Sequence, residues 1–313
     1  MTPPEREILA HAESRGTSPG IDSKRTTMAE AIARFVPDGS RVVLGACLEA
    51  AIPFAAAHEL IRQHRRNLTL IGPISDILFD QLIGAGCVDR VIVGWVGNVS
   101  AGLAHCFRRA VEQSVPRPLA VQDHSNLSLG LALLAAGLGA PFIPTRSLLG
   151  SDLPRHNPDL VPGTSPLDGS PLIFVRSLAP DVTILHVQKA DEEGHAWLWG
   201  NLGVAVEAAL AANRVLITAE EVVPGGALTE DPNRVVAPAQ KVVAVVEAPG
   251  GAHPSPVIGY TERDHEFFHE YHRRSRTLEG FNAWLEEWVL GVPNLEAYRE
   301  RLEARRTQSE ATP

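Results

Sequence analysis

Apolar positions along this 313-residue chain recur in two alternating rhythms. Between Met28 and Phe35 they fall three and four apart, the spacing of one helical face, and Thr27 with Glu30 gives a capping-box start. After the Asp38-Gly39 turn, Arg41 to Ala46 is a short apolar run of the kind found in buried strands. The alternation then continues. Helices are predicted from Pro53 to about His64, Ile74 to Ala85, Ala104 to Gln113 and Leu127 to Leu138. Strands are predicted at Leu68 to Gly72, Val88 to Val96 and Phe142 to Thr145. Strand and helix in turn call for a parallel sheet covered on both faces. The predicted fold class is therefore α/β, in three layers, with a mostly parallel sheet.

A proline- and glycine-rich stretch from Gly150 to Pro171 is predicted to lack regular structure. A second strand series follows at Leu172 to Val175, Val182 to Val187, Ala196 to Trp199, Val215 to Ala219 and Val242 to Glu247. A helix from Val204 to Ala212 interrupts it. After Asp264 the sequence turns aromatic, charged and helical, ending in a polar tail from about Thr307. The expected organisation is a poorly ordered tail over 1–26, an α/β domain over 27–262 and a helical C-terminal extension of the same domain over 263–313. There is no internal repeat.

Composition narrows the function. The net charge is −9, with 37 acidic residues against 28 basic ones, and only Lys24, Lys189 and Lys241 are lysines. That balance argues against a nucleic-acid partner, which needs a basic face, and it weakens schemes needing a spare lysine. The three cysteines, Cys47, Cys87 and Cys106, are too few and too scattered for a disulfide framework or a cysteine zinc site. No apolar run reaches the ~18–20 residues of a membrane helix, and Met1 to Arg25 carry no apolar signal core. Cytoplasmic residence is the expectation. A P-loop, a G-x-G-x-x-G after the first strand and a G-x-S-x-G elbow are all missing. Asp123, His124 and Ser125 are adjacent, an arrangement that rarely lets triad side chains converge.

His265-Glu266-Phe267-Phe268-His269 matches H-E-x-x-H, which on a helix sets two imidazoles on one face for zinc with the glutamate as base. His272 lies a turn further and Glu286 is a conceivable third ligand. The plainer reading is a solvated helix packed through Phe267, Phe268 and Tyr271, and it is preferred because nothing else resembles a zinc protease. No metal is expected.

The segment from Asp38 to Pro53 carries more. A strand ending in Gly45-Ala46-Cys47 and feeding a helix start places backbone N–H groups at the edge where α/β sheets bind ligands. It resembles the first signature of class I CoA-transferases, in which Asp-Gly and three apolar residues precede Gly-Gly-Phe and a later Gly-x-Pro. Ala46, Cys47 and Ala51 depart from that pattern. The resemblance, to alpha subunits such as that of glutaconate CoA-transferase, extends from Met28 to Leu302. It includes Leu82-Ile83-Gly84-Ala85-Gly86, Phe107-Arg108-Arg109, Asp123-His124-Ser125-Asn126, the Leu138 to Pro144 run and Gly150-Ser151-Asp152-Leu153. It continues through Ala190-Asp191 with Gly194, Thr218-Ala219-Glu220-Glu221 and Ala248 to Pro254.

The resemblance implies a CoA-transferase-type fold and a glutamate nucleophile. Its carboxylate attacks an acyl-CoA thioester, giving an acyl-glutamyl anhydride and free thiolate, which returns to form a glutamyl-CoA thioester. In the family this glutamate stands in a Ser-Glu-Asn-Gly-type motif on the beta subunit. That motif is missing here, where His124-Ser125-Asn126 has no glutamate. The implied partner is thus a beta subunit of similar fold in a hetero-oligomer, with an acyl-CoA and an organic acid as substrates and no tightly bound cofactor. This chain would contribute loops at the sheet's edge: Gly45, Ala46, Cys47 and Glu49; Ser75 and Asp76; Gly97 and Asn98; Asp123, Ser125 and Asn126. No catalytic group is expected on it; Glu49 reads as a solvated loop charge or as a residue recognising an acyl group, and a covalent adduct on this chain would point to it or to another local carboxylate. Cys47 is expected to pack, His253 to fix its turn, Glu220 and Glu221 to be structural, and His186 and His195 to be satisfied core histidines. Within the family the alternative is a CoA-thioester ring-opening hydrolase subunit of steroid-type catabolism. Such chains share Glu247 to His253 but carry an acidic stretch in place of Ser125-Asn126-Leu127. Outside the family stand the zinc hydrolase and a non-catalytic binding subunit.

Overall fold

Thr27 starts the first helix as its spacing predicts: its hydroxyl accepts from Glu30 N at 3.2 Å, and the Glu30 carboxylate accepts from Thr27 N at 3.2 Å. The computed structural model describes residues 23–310. From the N-terminal side the elements are α1 (Met28–Phe35), β1 (Arg41–Val43), α2 (Phe54–Arg62), β2 (Leu68–Gly72), α3 (Ile77–Gly84), β3 (Val88–Val93) and α4 (His105–Gln113). Next come β4 (Ala120–Asp123), α5 (Asn126–Gly137), β5 (Phe142–Thr145), α6 (Leu153–His156), β6 (Leu160–Thr164) and β7 (Pro171–Arg176). They are followed by β8 (Val182–Asp191), β9 (Ala196–Trp197), α7 (Ala205–Ala211), β10 (Arg214–Val223) and β11 (Val242–Glu247). Three helices close the described chain: α8 (His265–Ser275), α9 (Leu278–Leu285) and α10 (Leu295–Glu310).

Seven strands form a parallel sheet in the order β11-β10-β8-β1-β2-β3-β4, and β9 adds antiparallel to β8. Alternate side chains feed two cores. Val42, Leu70, Val91, Ile184 and Leu216 point to one, shared with α2, α3 and the aromatic residues Phe267, Tyr271, Trp284 and Trp288. Val43, Ile71, Ile92, Leu185 and Ile217 point to the other, shared with α5 and α7. This is the expected three-layer α/β architecture. Burying a Leu or Phe side chain contributes about 1.5–3 kcal/mol each, so these two faces supply most of the driving force.

Five local expectations are corrected. The Gly150 to Pro171 stretch is not irregular: it holds α6 and β6, and β6 joins β5 and β7 in a separate antiparallel sheet of order β5-β7-β6. Pro162 and Gly163 are tolerated because β6 is an edge strand, where a missing N–H costs little. β5 and β7 therefore stand outside the parallel series that the strand–helix rhythm predicts for them. β4 was not foreseen, since as an edge strand it is largely exposed and has no apolar run. Most of the expected N-terminal tail lies outside the described residues, but Lys24 to Thr26 are ordered: Lys24 N donates to Glu192 O at 2.8 Å and Thr26 N to Val245 O at 3.0 Å. Helix α10 likewise runs past Thr307 to Glu310, where a polar tail was expected.

The lysines are all engaged. Lys24 Nζ donates to the carbonyls of Glu193 and Ala239 at 2.7 and 2.8 Å. Lys241 Nζ donates to those of Leu210 and Ala212. Lys189, buried on β8, lies 3.5 Å from the Glu221 carboxylate. Among the described residues no helix is long and apolar enough to cross a membrane.

Candidate active site

Open α/β sheets bind ligands beyond the carboxyl ends of their strands, where the strand order reverses. Here the reversal is at β1, from which β2, β3 and β4 run one way and β8, β10 and β11 the other. The loops expected from sequence follow four adjacent strands, β1 to β4, and so share one edge.

The loop after β1 is held tightly from both sides. Ser75 Oγ donates to Leu44 O at 3.0 Å, and a Cβ on Gly45 (φ +69°) would lie 2.5 Å from that hydroxyl. Opposite, Val204 N donates to Ala46 O at 2.8 Å, and a Cβ on Gly203 (φ +51°) would lie 2.2 Å from the same carbonyl. Ser255 Oγ donates to Glu49 O at 2.9 Å, and Ala51 N to Pro256 O at 2.9 Å. Leu48 and Ala51 take left-handed φ of 62° and 49°. Between these anchors the N–H groups of Ala46, Cys47, Leu48 and Glu49 make no backbone–backbone hydrogen bond of good geometry among the described residues. A run of fixed, free N–H groups beside a strand end can stabilise a developing oxyanion. Glu49 itself is exposed. Cys47 is 1 % exposed, and burial pushes its thiol up to about 12, so it packs and does not attack.

The loops after β2 and β3 are joined through Asp76. Its backbone sits at φ 47°, ψ −139°, a conformation costing a non-glycine residue roughly 1–3 kcal/mol. Its carboxylate accepts from Val99 N at 3.2 Å and from the Arg263 guanidinium. Burial pushes the Asp76 carboxyl up, and Arg263 pulls against that shift. Asn98 is buried and structural: Nδ2 donates to Phe268 O at 2.9 Å, while Oδ1 accepts from Ser100 N and Ala101 N at 3.0 Å each. Gly97 lies on the same turn and is buried beneath Trp95.

At the end of β4, Ser125 is spent as the N-cap of α5, its hydroxyl accepting from Ser128 N at 3.0 Å. Its neighbour His124 is buried and 3.1 Å from Ser128 Oγ; burial drags its imidazole down to about 4, against the pull of Asp159 and Asp123. Asp123 and Asn126 are exposed, and Asn126 Oδ1 lies against Gly94 of the preceding loop. The fold thus brings the Gly45–Ser75, Asp76–Val99 and Gly94–Asn126 pairs together. Of the side chains singled out, Glu49, Asp123 and Asn126 remain open to a ligand.

Arg263 was missed. It stands 187 residues from Asp76, and no spacing or motif links the two. The histidine-rich helix α8 beside it is anchored as packing demands. Phe267, Phe268 and Tyr271 are buried, His265 Nδ1 lies 3.2 Å from Ser100 Oγ, and the His272 ring sits 4.6 Å from that of His105. Among the described residues no cluster of three or more His, Cys, Asp or Glu side chains is placed to hold a metal ion.

A cleft of about 810 Å³ opens next to this edge, between the 249–253 turn, the 260–266 segment and α10. Its wall includes His253, bonded to Tyr298 Oη at 2.7 Å and to Asp264 at 3.1 Å. Although burial pushes the Asp264 carboxyl up, the His253 bond and the Phe267 N–H hold it down at about 2. Glu220 accepts from Gly250 N at 2.7 Å and meets buried His186 at 2.9 Å. His253, Glu220 and His186 brace the turn, the structural parts expected of them from their places beside apolar strands and a tight turn. His195 meets Asp191 at 2.9 Å but is half-buried, so it is partnered without being the core histidine expected.

A family model described as coenzyme A transferase matches residues 25–248. The chain belongs to the coenzyme A transferase family. It is 41 % identical over 276 residues to the alpha subunit of the 3-oxoadipate CoA-transferase of Pseudomonas knackmussii, covering 88 % of this chain and 97 % of that one. It is 32 % identical over 300 residues to the alpha subunit of the glutaconate CoA-transferase of Acidaminococcus fermentans, covering 91 % and 93 %. The crystal structure of that glutaconate enzyme superposes with a TM-score of 0.85 over 91 % of this chain and 94 % of that chain, at 30 % identity. The cholesterol ring-cleaving hydrolase IpdA subunit of Mycobacterium tuberculosis matches at 27 % identity over 284 residues, covering 87 % and 95 %. Within the CoA-transferase family the chain is thus of the alpha type, as its sequence landmarks imply.

Proposed function

We propose that this chain is the alpha subunit of a heteromeric enzyme that moves CoA between organic acids, with dicarboxylic acids as the substrate class. One observation carries the reading: nearly its whole described length aligns with transferase alpha subunits, while the Ser-Glu-Asn-Gly-type nucleophile motif is missing from its sequence. A beta subunit of similar fold then supplies the glutamate. Its carboxylate attacks the thioester carbonyl, CoA leaves as thiolate and a mixed acyl-glutamyl anhydride forms; the thiolate then attacks the glutamyl carbonyl of that anhydride, giving glutamyl-CoA and releasing the first acid. The acceptor acid repeats the sequence in reverse. Storing the thioester's energy covalently requires a dry site, and the free N–H groups of Ala46 to Glu49 are the local donors for the oxyanions formed. CoA enters as substrate and no resident cofactor is required. The substrate class follows from 3-oxoadipate and glutaconate in the relatives' names, both dicarboxylates.

Transfer is preferred over ring-opening hydrolysis for a structural reason. At the position where the hydrolases are expected to carry an acidic stretch, Ser125 is committed to capping α5 and Asn126 carries no charge. The test is co-expression with a beta-type chain of the same family from the same source, followed by incubation with an acyl-CoA and mass spectrometry of both chains. A glutamyl-CoA adduct on the partner, with transfer to a dicarboxylate, is the expected result. An adduct on Glu49, or full activity of this chain alone, refutes the assignment.

A further inference from the structure

We propose that Arg263 is a positioning residue for the transfer reaction, clamping the loops after β2 and β3 in the shape that the candidate site uses. This role rests on the proposed transferase function but is read from contacts independent of it. Arg263 precedes α8, far from β2 and β3 in sequence, yet its guanidinium is the hub between them. One terminal nitrogen binds the Asp76 carboxylate, Nε donates to Ser100 Oγ at 3.1 Å, and the plane lies 3.9 Å from the centroid of the Phe268 ring. The same Ser100 hydroxyl meets His265, and Asp76 in turn receives Val99 N. Asp76, Val99 and Ser100 are therefore fixed through one planar cation.

Three observations separate this from ordinary packing. Asp76 is held in a backbone conformation that non-glycine residues rarely adopt, so something must impose it. The pair is buried, with side-chain exposures of 12 % for Arg263 and 0 % for Asp76, although apolar residues of similar volume would serve stability as well or better. The remaining guanidinium nitrogen, Nη1, is buried with no partner among the described residues. A fork that leaves one donor unused is retained for the geometry of its other two. Among the arginines whose bonds the structure shows, Arg263 is the one reaching the loops after β2 and β3. Lysine cannot replace it, because an ammonium has no planar fork to span Asp76 and Ser100.

The test uses Arg263→Lys, Asp76→Asn and Arg263→Gly in the assembled two-chain enzyme, together with hydrogen exchange of peptides spanning Trp95 to Leu103. In Arg263→Lys the exchange of that loop rises at least about tenfold, and kcat/KM for the acid falls about 10²-fold. In Arg263→Gly, millimolar methylguanidinium restores activity saturably. Asp76→Asn, which keeps an acceptor for Arg263, covers the case in which Arg263→Gly fails to fold, and its loop loosens in the same sense. Unchanged exchange in Arg263→Lys overturns the clamp. A loosened loop with unchanged kcat/KM overturns the positioning role, leaving a purely structural pair. Should the wild-type complex transfer no CoA, the transferase reading fails, and the exchange result still decides the clamp.

Discussion

Acidification should unfold this chain through histidines that the fold keeps neutral. His58 is buried on α2 with Gln81 Oε1 at 3.0 Å from its Nε2, and burial, reinforced by Arg62, takes its pKa down to about 3. His124 is lowered to about 4, chiefly by burial. In the unfolded chain each returns to about 6.5. Between the folded and unfolded values the unfolded state binds more protons, so stability is complete above about pH 6.5 and falls as the pH drops. At pH 5, about 1.5 pH units below the unfolded value, each histidine removes about 2 kcal/mol at ~1.36 kcal/mol per unit. The two together remove about 4 kcal/mol, a large part of the ~5–15 kcal/mol that holds a typical domain. His253, also lowered by burial, acts in the same direction. The assay is urea unfolding at pH 7.5, 6.0 and 5.0, followed by the fluorescence of buried Trp284 and Trp288. His58→Asn should flatten the pH dependence between pH 7.5 and 5.0 by about 2 kcal/mol, the share of one such histidine. Equal stability at pH 7.5 and 5.0, or parallel curves for wild type and His58→Asn, would refute the reasoning.

Other expectations follow from single contacts. Gly203→Ala forces a Cβ onto the Ala46 carbonyl and should cost about 2–3 kcal/mol, measurable as a shift of the urea midpoint with unchanged slope; a change under about 0.5 kcal/mol would contradict the close packing. Native protein treated with iodoacetamide at pH 8 should remain unlabelled at Cys47, Cys87 and Cys106, all of them buried, and rapid labelling at Cys47 by intact-mass analysis would contradict its packing. Glu49→Gln in the assembled enzyme should lose less than about tenfold in kcat, whereas removing a nucleophile costs at least about 10³-fold; a loss of the larger size would move the nucleophile onto this chain.

How far the sequence could be read depended on where each signal lies. Helix α1 was legible to the residue because Thr27 and Glu30 form a local motif. The parallel strands were legible where burial gave a continuous apolar run, as in Val242 to Val246 of β11. β4 and β6 were not, since edge strands need no such run: β4 is half-wet, and β6 carries Pro162 and Gly163. The site divides in the same way. Three of its loops were picked by following the ends of β1, β2 and β3, while the Asp123 to Asn126 loop came from resemblance alone because β4 was not foreseen, and resemblance also supplied the chemistry. Which side chains stay open was beyond reach, because Ser125 and Asn98 are consumed by local caps and distant carbonyls that only the fold reveals. The Asp76–Arg263 contact, between loops far apart in the chain, has no sequence signature at all.

The chain's few lysines gain a meaning beside this chemistry. Thioesters and acid anhydrides acylate free amines without any enzyme, and a protein that handles them at close quarters is their nearest target. Here the amines of Lys24 and Lys241 donate to backbone carbonyls, and that of Lys189 is buried against a carboxylate. Arginine, whose guanidinium remains protonated and is a poor nucleophile, carries almost all of the remaining positive charge. Among the described residues no lysine amine is left without a partner, so a stray thioester meets few free amines on this chain.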